Sequence, residues 1–286
     1  SDSLFRAVSA TLWHRPARTN ILFHTGDVIS NGFTSWAPRR IEIYTTSPQD
    51  NDGNAWLRHV LLHEYRHHVQ IDKLNRSATR ALTWVFGEQA TGAVLGLYVP
   101  LWFLEGDAVV AETELSPAGR GRYPAFAAPL RAQLREYGAF SYEKAYFGSY
   151  RDFVPDHYVL GYHLVAYTRL ASGADTWATA LRQTGSQALG IGPMSASLRR
   201  QTGKGIRPWY YEAMATLDSA WQAGETLPTA KAQHIRLPEA RSYTSYRRPQ
   251  QLGDGSIVAE RHSLDDIDRI VRISPEGEET ILATPG

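Results

Sequence analysis

Residues 63–67 read His-Glu-Tyr-Arg-His, and those residue types at that spacing can do a specific kind of chemistry. Two imidazoles four positions apart on a helix share one face, so both can point at one metal ion, with the adjacent Glu beside them to take a proton from a water held there. His63 and His67 are therefore candidate metal ligands and Glu64 a candidate general base for metal-assisted hydrolysis, with zinc the ion such a motif usually takes. A helix has to carry the motif. From Asn54 to Leu74 there is no Pro and no internal Gly, and Trp56, Leu57, Val60, Leu61, Leu62, Val69, Ile71 and Leu74 recur at helical spacing. Asp52-Gly53-Asn54 supplies a cap. Imidazole and carboxylate groups on the inward face of such a helix are costly to bury without partners, which a metal ion provides. The alternative is a solvated, His-rich face.

A catalytic zinc site takes three protein ligands and leaves a position open, so a third ligand must come from elsewhere. Two downstream carboxylates compete: Glu88 in VFGEQATG and Glu105 in PLWFLEGDAVVAETEL. The chain here resembles the gluzincin metallopeptidases, in which two His and one Glu hold zinc. Their third ligand sits in a Trp-(aromatic or aliphatic)-x-Glu-Gly-x-Ala run, which Trp102-Phe103-Leu104-Glu105-Gly106-Asp107-Ala108 matches position by position. The resemblance thus implies Glu105. It spans about the first 220 residues, with its specific motifs between His63 and Ala108. The wide separation of His67 from Glu105 departs from compact members of the clan and predicts an extra helix around Thr79 to Leu97. A further likeness is to exported bacterial proteins, common in Bacteroidetes, in which such a domain precedes a TolB-like β-propeller.

The resemblance implies peptide-bond hydrolysis, with Glu64 moving a proton from a zinc-activated water to the leaving amine. A further donor usually steadies the oxyanion. Tyr158 and His157, on a helix expected over Val154 to Leu170, are the candidates, and ordinary helix packing is the alternative. His59 could line the same groove, while His68 points away from His67 and is expected at the surface or behind the ligands. Asp107 or Glu112 could orient a ligating His, with surface solvation the expectation for Glu112.

Ile41, Ile43 and Thr45 alternating with Glu42, Tyr44 and Thr46 predict a strand, and Ile21 to His24 a shorter one. In gluzincins the strand before the zinc helix pairs with the substrate backbone, so the resemblance makes Asn31, Gly32, Phe33 and Trp36 candidate substrate-binding residues. A structural turn at Asn31-Gly32 is the alternative.

Composition bounds the partners. A net charge of +1 gives no electrostatic case for nucleic acid, and Arg39-Arg40, Arg199-Arg200 and Arg247-Arg248 read as solvated surface. No hydrophobic run reaches membrane-spanning length; Ala90 to Leu104, interrupted by Gly92, Gly96 and Pro100, reads as a buried helix. With no Cys, disulfides and thiolate metal sites are excluded. The chain begins with Ser and shows no signal peptide, so a processed or truncated start is expected. A first helix is placed near Leu4 to Trp13. The resemblance implies a periplasmic or cell-surface location.

Between Gly119 and Trp221 the chain reads as mostly helical, with helices over Ala125–Tyr137, Asp175–Gln183 behind an Asp cap, and Pro208–Gln222. The aromatic stretch from Ser141 either lines a pocket or packs. After Gly224 short alternating strands follow Asp-Gly and Glu-Gly turns and resemble one propeller blade, too little to close a ring. The expected organisation is α+β: a mostly helical, gluzincin-like domain with a small N-terminal sheet over 1–224, a linker over 225–240 and a partial blade over 241–286. The partners expected are a peptide or protein substrate and, through the propeller, a protein. A catalytically silent domain serving binding or envelope assembly is the competing function.

Overall fold

A computed structural model describes residues 2–48, 55–224, 235, 237 and 240–285. The class is α+β, as expected: helices dominate, with one three-stranded and one four-stranded sheet. The chain divides into two units, Ser1–Tyr142 with Pro155–Trp221, and Glu143–Val154 with Gln222–Gly286. The segment 143–154, expected within the first domain, thus groups with the C-terminal sheet. Most of the expected linker, and the Asp52-Gly53-Asn54 cap, lie outside the described residues.

The first unit opens with α1 (Asp2–Ala10), followed by β1 (Asn20–His24), β2 (Ser30–Trp36) and β3 (Arg39–Thr45). β3 is central, with β1 parallel on one side and β2 antiparallel on the other. Asn31 and Gly32 sit inside β2, so the turn alternative is set aside. The period-two alternation sends Ile41 and Ile43 to one face, where both are fully buried with Val60 from the next helix. Each buried isoleucine contributes roughly 1.5–3 kcal/mol. This apolar contact fastens α2 (Trp56–Leu74), the helix carrying His63 and His67, to the sheet.

The single helix expected around Thr79 to Leu97 is two, α3 (Ser77–Phe86) and α4 (Gln89–Tyr98). Gly87, at φ 74°, makes the break, a conformation that side chains rarely adopt. Likewise the stretch read as one buried helix to Leu104 bends by 95° between α4 and α5 (Leu101–Leu115). Pro100 stands at the N-cap of α5, where its fixed φ starts a helix and its missing N–H costs nothing. No single helix among the described residues is long and apolar enough to cross a membrane.

α6 (Pro124–Tyr137) follows, then, past the short α7 (Tyr142–Phe147) that falls almost wholly in the second unit, α8 (His157–Ser172), which starts later than its periodicity suggests. Pro155 precedes it, and the Asp156 side chain caps it by accepting from the Val159 amide at 3.0 Å. α9 (Thr176–Ser186), α10 (Pro193–Thr202) and α11 (Ile206–Ala223) complete the unit; Asp175, the expected cap of α9, makes no side-chain cap bond.

α5 and α8 cross backbone to backbone. A Cβ on Gly161 would lie 1.7 Å from the Trp102 carbonyl oxygen, and one on Gly106 would lie 2.0 Å from the Gly161 carbonyl carbon. Beneath the crossing, Trp102, Phe103 and Trp177 form a buried aromatic cluster with ring centroids 5.0–6.3 Å apart.

In the second unit β4 (Thr244–Gln251), β5 (Ile257–Ser263), β6 (Arg269–Ile273) and β7 (Glu279–Ala283) form an antiparallel meander in chain order. Ala259, Val271 and Ile273 are its buried apolar residues. The 143–154 segment joins through the Tyr243 amide, which donates to Tyr150 O at 2.9 Å, and through the Phe153 and Tyr243 rings.

Candidate metal centre

His63 and His67 leave α2 on the face turned toward α5, and Glu105 reaches them from the first turns of α5. Their donor atoms form a small triangle: His63 Nε2 to His67 Nε2 is 3.1 Å, His63 Nε2 to Glu105 Oε2 3.1 Å, and His67 Nε2 to Glu105 Oε2 3.3 Å. Two imidazoles and a carboxylate at these spacings could hold a metal ion. The edges agree with the roughly 3.3 Å separation that a tetrahedral ion imposes on ligands about 2.0–2.1 Å away. His63 is buried and the other two partly so. Glu88, the competing ligand, is exposed at the start of α4 and lies outside this group.

The remaining ring nitrogens are both held. His63 Nδ1 lies 2.5 Å from Glu112 Oε1, and His67 Nδ1 lies 2.9 Å from Gln70 Oε1. Such contacts fix a tautomer that presents Nε2 to an ion. Glu112, expected at the surface, is instead fully buried. Its second oxygen meets His59 Nε2 at 2.9 Å, and Arg120 donates to both oxygens, at 3.0 and 2.5 Å. Burial alone would raise the Glu112 carboxyl, but bonds from His59, His63 and Arg120 hold it well below the usual range. His68, expected at the surface or behind the ligands, is buried and contacts the segment before β1 instead of a ligand, with Nε2 2.9 Å from Ala17 O.

Gln70 is tied down in turn, donating to Asp107 Oδ2 at 2.7 Å and to Leu104 O at 3.1 Å. Asp107 is gripped by Arg66 through two 2.7 Å bonds, and both residues are almost completely buried. Arg66 then reaches α1 and the loop after it, at Val8 O and Thr11 Oγ1. The x-x of the motif is therefore structural: Arg66 anchors α2 to α5 and to the N-terminal segment.

Charge inside the triangle is coupled. Burial favours neutral His67, but the hydrogen bond and charge of Glu105, with Glu64 beyond, raise it to about 9. Burial works against the Glu105 carboxylate, yet the two imidazoles hold its pKa far below the ordinary range.

A cavity of about 250 Å³ opens beside the triangle, lined by all three of its residues together with Glu64 and Tyr158. Thr34 Oγ1 lies 3.0 Å from Glu64 Oε2 and 2.7 Å from Glu64 O, steadying the carboxylate. Burial, and then the charge of Glu105, push the Tyr158 phenol up to about 12, against the opposing charge of Arg120. The Arg120 guanidinium stacks 4.8 Å above the Tyr158 ring. His157 packs at a tilt against the same ring and does not line the cavity. Of the candidate substrate residues, Gly32, Phe33 and Trp36 line the cavity from β2, whereas Asn31 is exposed and accepts a bond from the Gly32 amide at 2.9 Å. Gly32 lets β2 lie on α2, since a Cβ there would meet Val60 at 2.6 Å and Glu64 at 3.0 Å.

Thr34, Gln70 and Arg120 were not singled out from the sequence. Gln70 had a legible signal, lying one turn past His67 and two past His63, and Glu112 stands two turns past Glu105. Arg120 approaches from a separate 3₁₀ turn over Arg120–Arg122 and leaves no local trace. Comparison with protein-family models, curated proteins and solved structures gave no match.

Proposed function

We propose that this chain is a zinc-dependent peptidase of the gluzincin type, with His63, His67 and Glu105 holding the ion. The observation that carries this is the convergence on one cavity of a two-His, one-carboxylate triangle and the Glu64 carboxylate, which lies outside the triangle and is steadied by Thr34. When bound, zinc supplies Lewis acidity that makes water nucleophilic near neutral pH. Glu64 takes the proton of the attacking water as its oxygen adds to the scissile carbonyl carbon. Glu64 then delivers that proton to the amide nitrogen as the C–N bond breaks, leaving a carboxylic acid and an amine. Tyr158 keeps its proton throughout the neutral range and donates a hydrogen bond to the oxyanion. Glu112 and Gln70 keep the two imidazoles oriented. The four-stranded C-terminal meander is read as one propeller blade, through which an exported protein would engage a protein partner.

Metal analysis with digestion of a peptide library by native protein and Glu64→Gln tests this. The expected result is one zinc per chain in both and a loss of cleavage of roughly 10²–10⁴-fold in Glu64→Gln. Bound zinc with the same products from both proteins would remove Glu64 from the chemistry. Neither zinc nor cleavage would favour the silent binding domain.

A further inference from the structure

Of the two helices that lengthen the path from His67 to Glu105, α4 has a use at the cavity. α4 contributes Leu95 to its wall and fixes Trp36 of β2 against it. A Cβ on Gly92 would fall 2.2 Å from Trp36 Nε1, so the indole lies in the space left by the missing side chain, and Nε1 donates to Gln89 Oε1 at 3.3 Å. With the indole held there, Phe33, Trp36, Ile71, Leu95, Leu101 and Leu104 form one apolar side of the cavity. Ile71 and Leu95 are buried, while Phe33, Trp36 and Leu101 remain exposed enough to be touched, Trp36 at 40 %.

The polar side holds only the groups already assigned: His63, Glu64, His67, Glu105, Thr34 and Tyr158. Among the described lining residues there is no Lys or Arg to neutralise an acidic side chain. Both carboxylates are engaged, Glu105 with the two imidazoles and Glu64 with Thr34, leaving none to hold a substrate's terminal ammonium. The volume is below the roughly 300–1,000 Å³ of sites that enclose drug-sized ligands, and suits one large side chain with its backbone.

We propose that α4 builds an apolar subsite, walled by Trp36, that selects peptides carrying a bulky uncharged side chain next to an internal scissile bond. This rests on the peptidase function above. A single apolar pocket discriminates by roughly 10–200-fold, which sets the scale of the effect.

The test uses Glu64→Gln protein, which retains peptide uncleaved, loaded with zinc and titrated calorimetrically. The probes are end-blocked pentapeptides of Ala that vary only at the central residue: Leu, Phe, Asp or Lys. Leu and Phe peptides are expected to bind at least about tenfold tighter than the Asp and Lys peptides. Adding Trp36→Ala, or separately Gly92→Ala, whose methyl displaces the indole, should reduce that ratio to about threefold or less. A ratio near one before these changes, or one unaltered by both, overturns the subsite.

Native protein given the same peptides, blocked and with free amino termini, separates the two levels. Glu64-dependent cleavage without apolar preference, or cleavage confined to free amino termini, sinks the subsite and leaves the peptidase. Apolar-selective binding with no cleavage by native protein sinks the peptidase and leaves the subsite.

Discussion

Arg66–Asp107 and Arg272–Asp254 are the same two chemical groups in opposite surroundings. The first pair lies between α2 and α5, bidentate and about 1 % exposed on each side, with Gln70 as a third partner. The second joins β6 to the turn between β4 and β5, with both side chains about half exposed. A buried pair costs desolvation that its own attraction barely offsets, so it adds little net stability, but removing one member strands the other charge. An exposed pair is screened and is worth almost nothing either way. The buried pair in the first unit thus fixes position behind the His63–His67–Glu105 triangle, while the exposed pair in the C-terminal sheet fixes little.

The sharpest way to break this contrast is to truncate the two aspartates. Asp107→Ala should lose about 3–5 kcal/mol of stability in urea unfolding of the first unit, because Arg66 is left buried and unpaired. Equal costs for Asp107→Ala and Asp254→Ala would end the comparison.

Histidines give a second contrast, read by pH. His163 on α8 is driven by burial down to about 4, and its Nε2 has no hydrogen-bond partner, whereas His262 on β5 pairs with Asp268 at 2.5 Å in the open. Since the folded pKa lies below the unfolded value of 6.5, the unfolded chain takes up a proton first as pH falls. His163's contribution is thus intact above about pH 6.5 and is lost between there and about 4, up to about 3 kcal/mol at 1.36 per unit. Unfolding free energies measured across that range should lose this slope in His163→Phe. A slope unchanged by the substitution would assign it to other groups.

Next in size is Glu112→Gln, which keeps the shape but removes the charge beside His63. Metal affinity measured against a competing chelator should fall about 10–100-fold. No change would mean that the charge of Glu112 is not needed, an amide oxygen holding His63 Nδ1 as well. The smallest effect is expected from Asp254→Ala and from Arg248→Ala, whose pair with Glu260 is 70 % and 46 % exposed, each costing less than about 1 kcal/mol.

Much of the site was legible in the sequence because it is local. His63, Glu64 and His67 follow from helical spacing, and Glu105 from its run of neighbours, though that run was read through a resemblance. Gly106 gains a physical reason only in three dimensions, as half of a helix crossing. What the sequence hid arrives from other elements. Thr34 comes from a strand, Arg120 from a loop, and Glu112 looked like a surface carboxylate because no pattern marks which side of α5 is deepest when the helix is buried almost all round. The boundaries at Gly87 and Pro100 were written in residue types known to break helices, yet the apolar run across them outweighed the break signals. The burial of His163 without a partner for Nε2 had no signal at all.

The crossing of α5 and α8 acts as a gauge block. Gly106 is one residue past Glu105 and Gly161 three past Tyr158, so the two absent methyl groups set how far the phenol stands from the ligand triangle. Hydrogen bonds there can adjust an angle, but the separation is machined by backbone against backbone. A single added carbon at either glycine would force α5 and α8 apart, and so change the spacing between Glu105 on one and Tyr158 on the other.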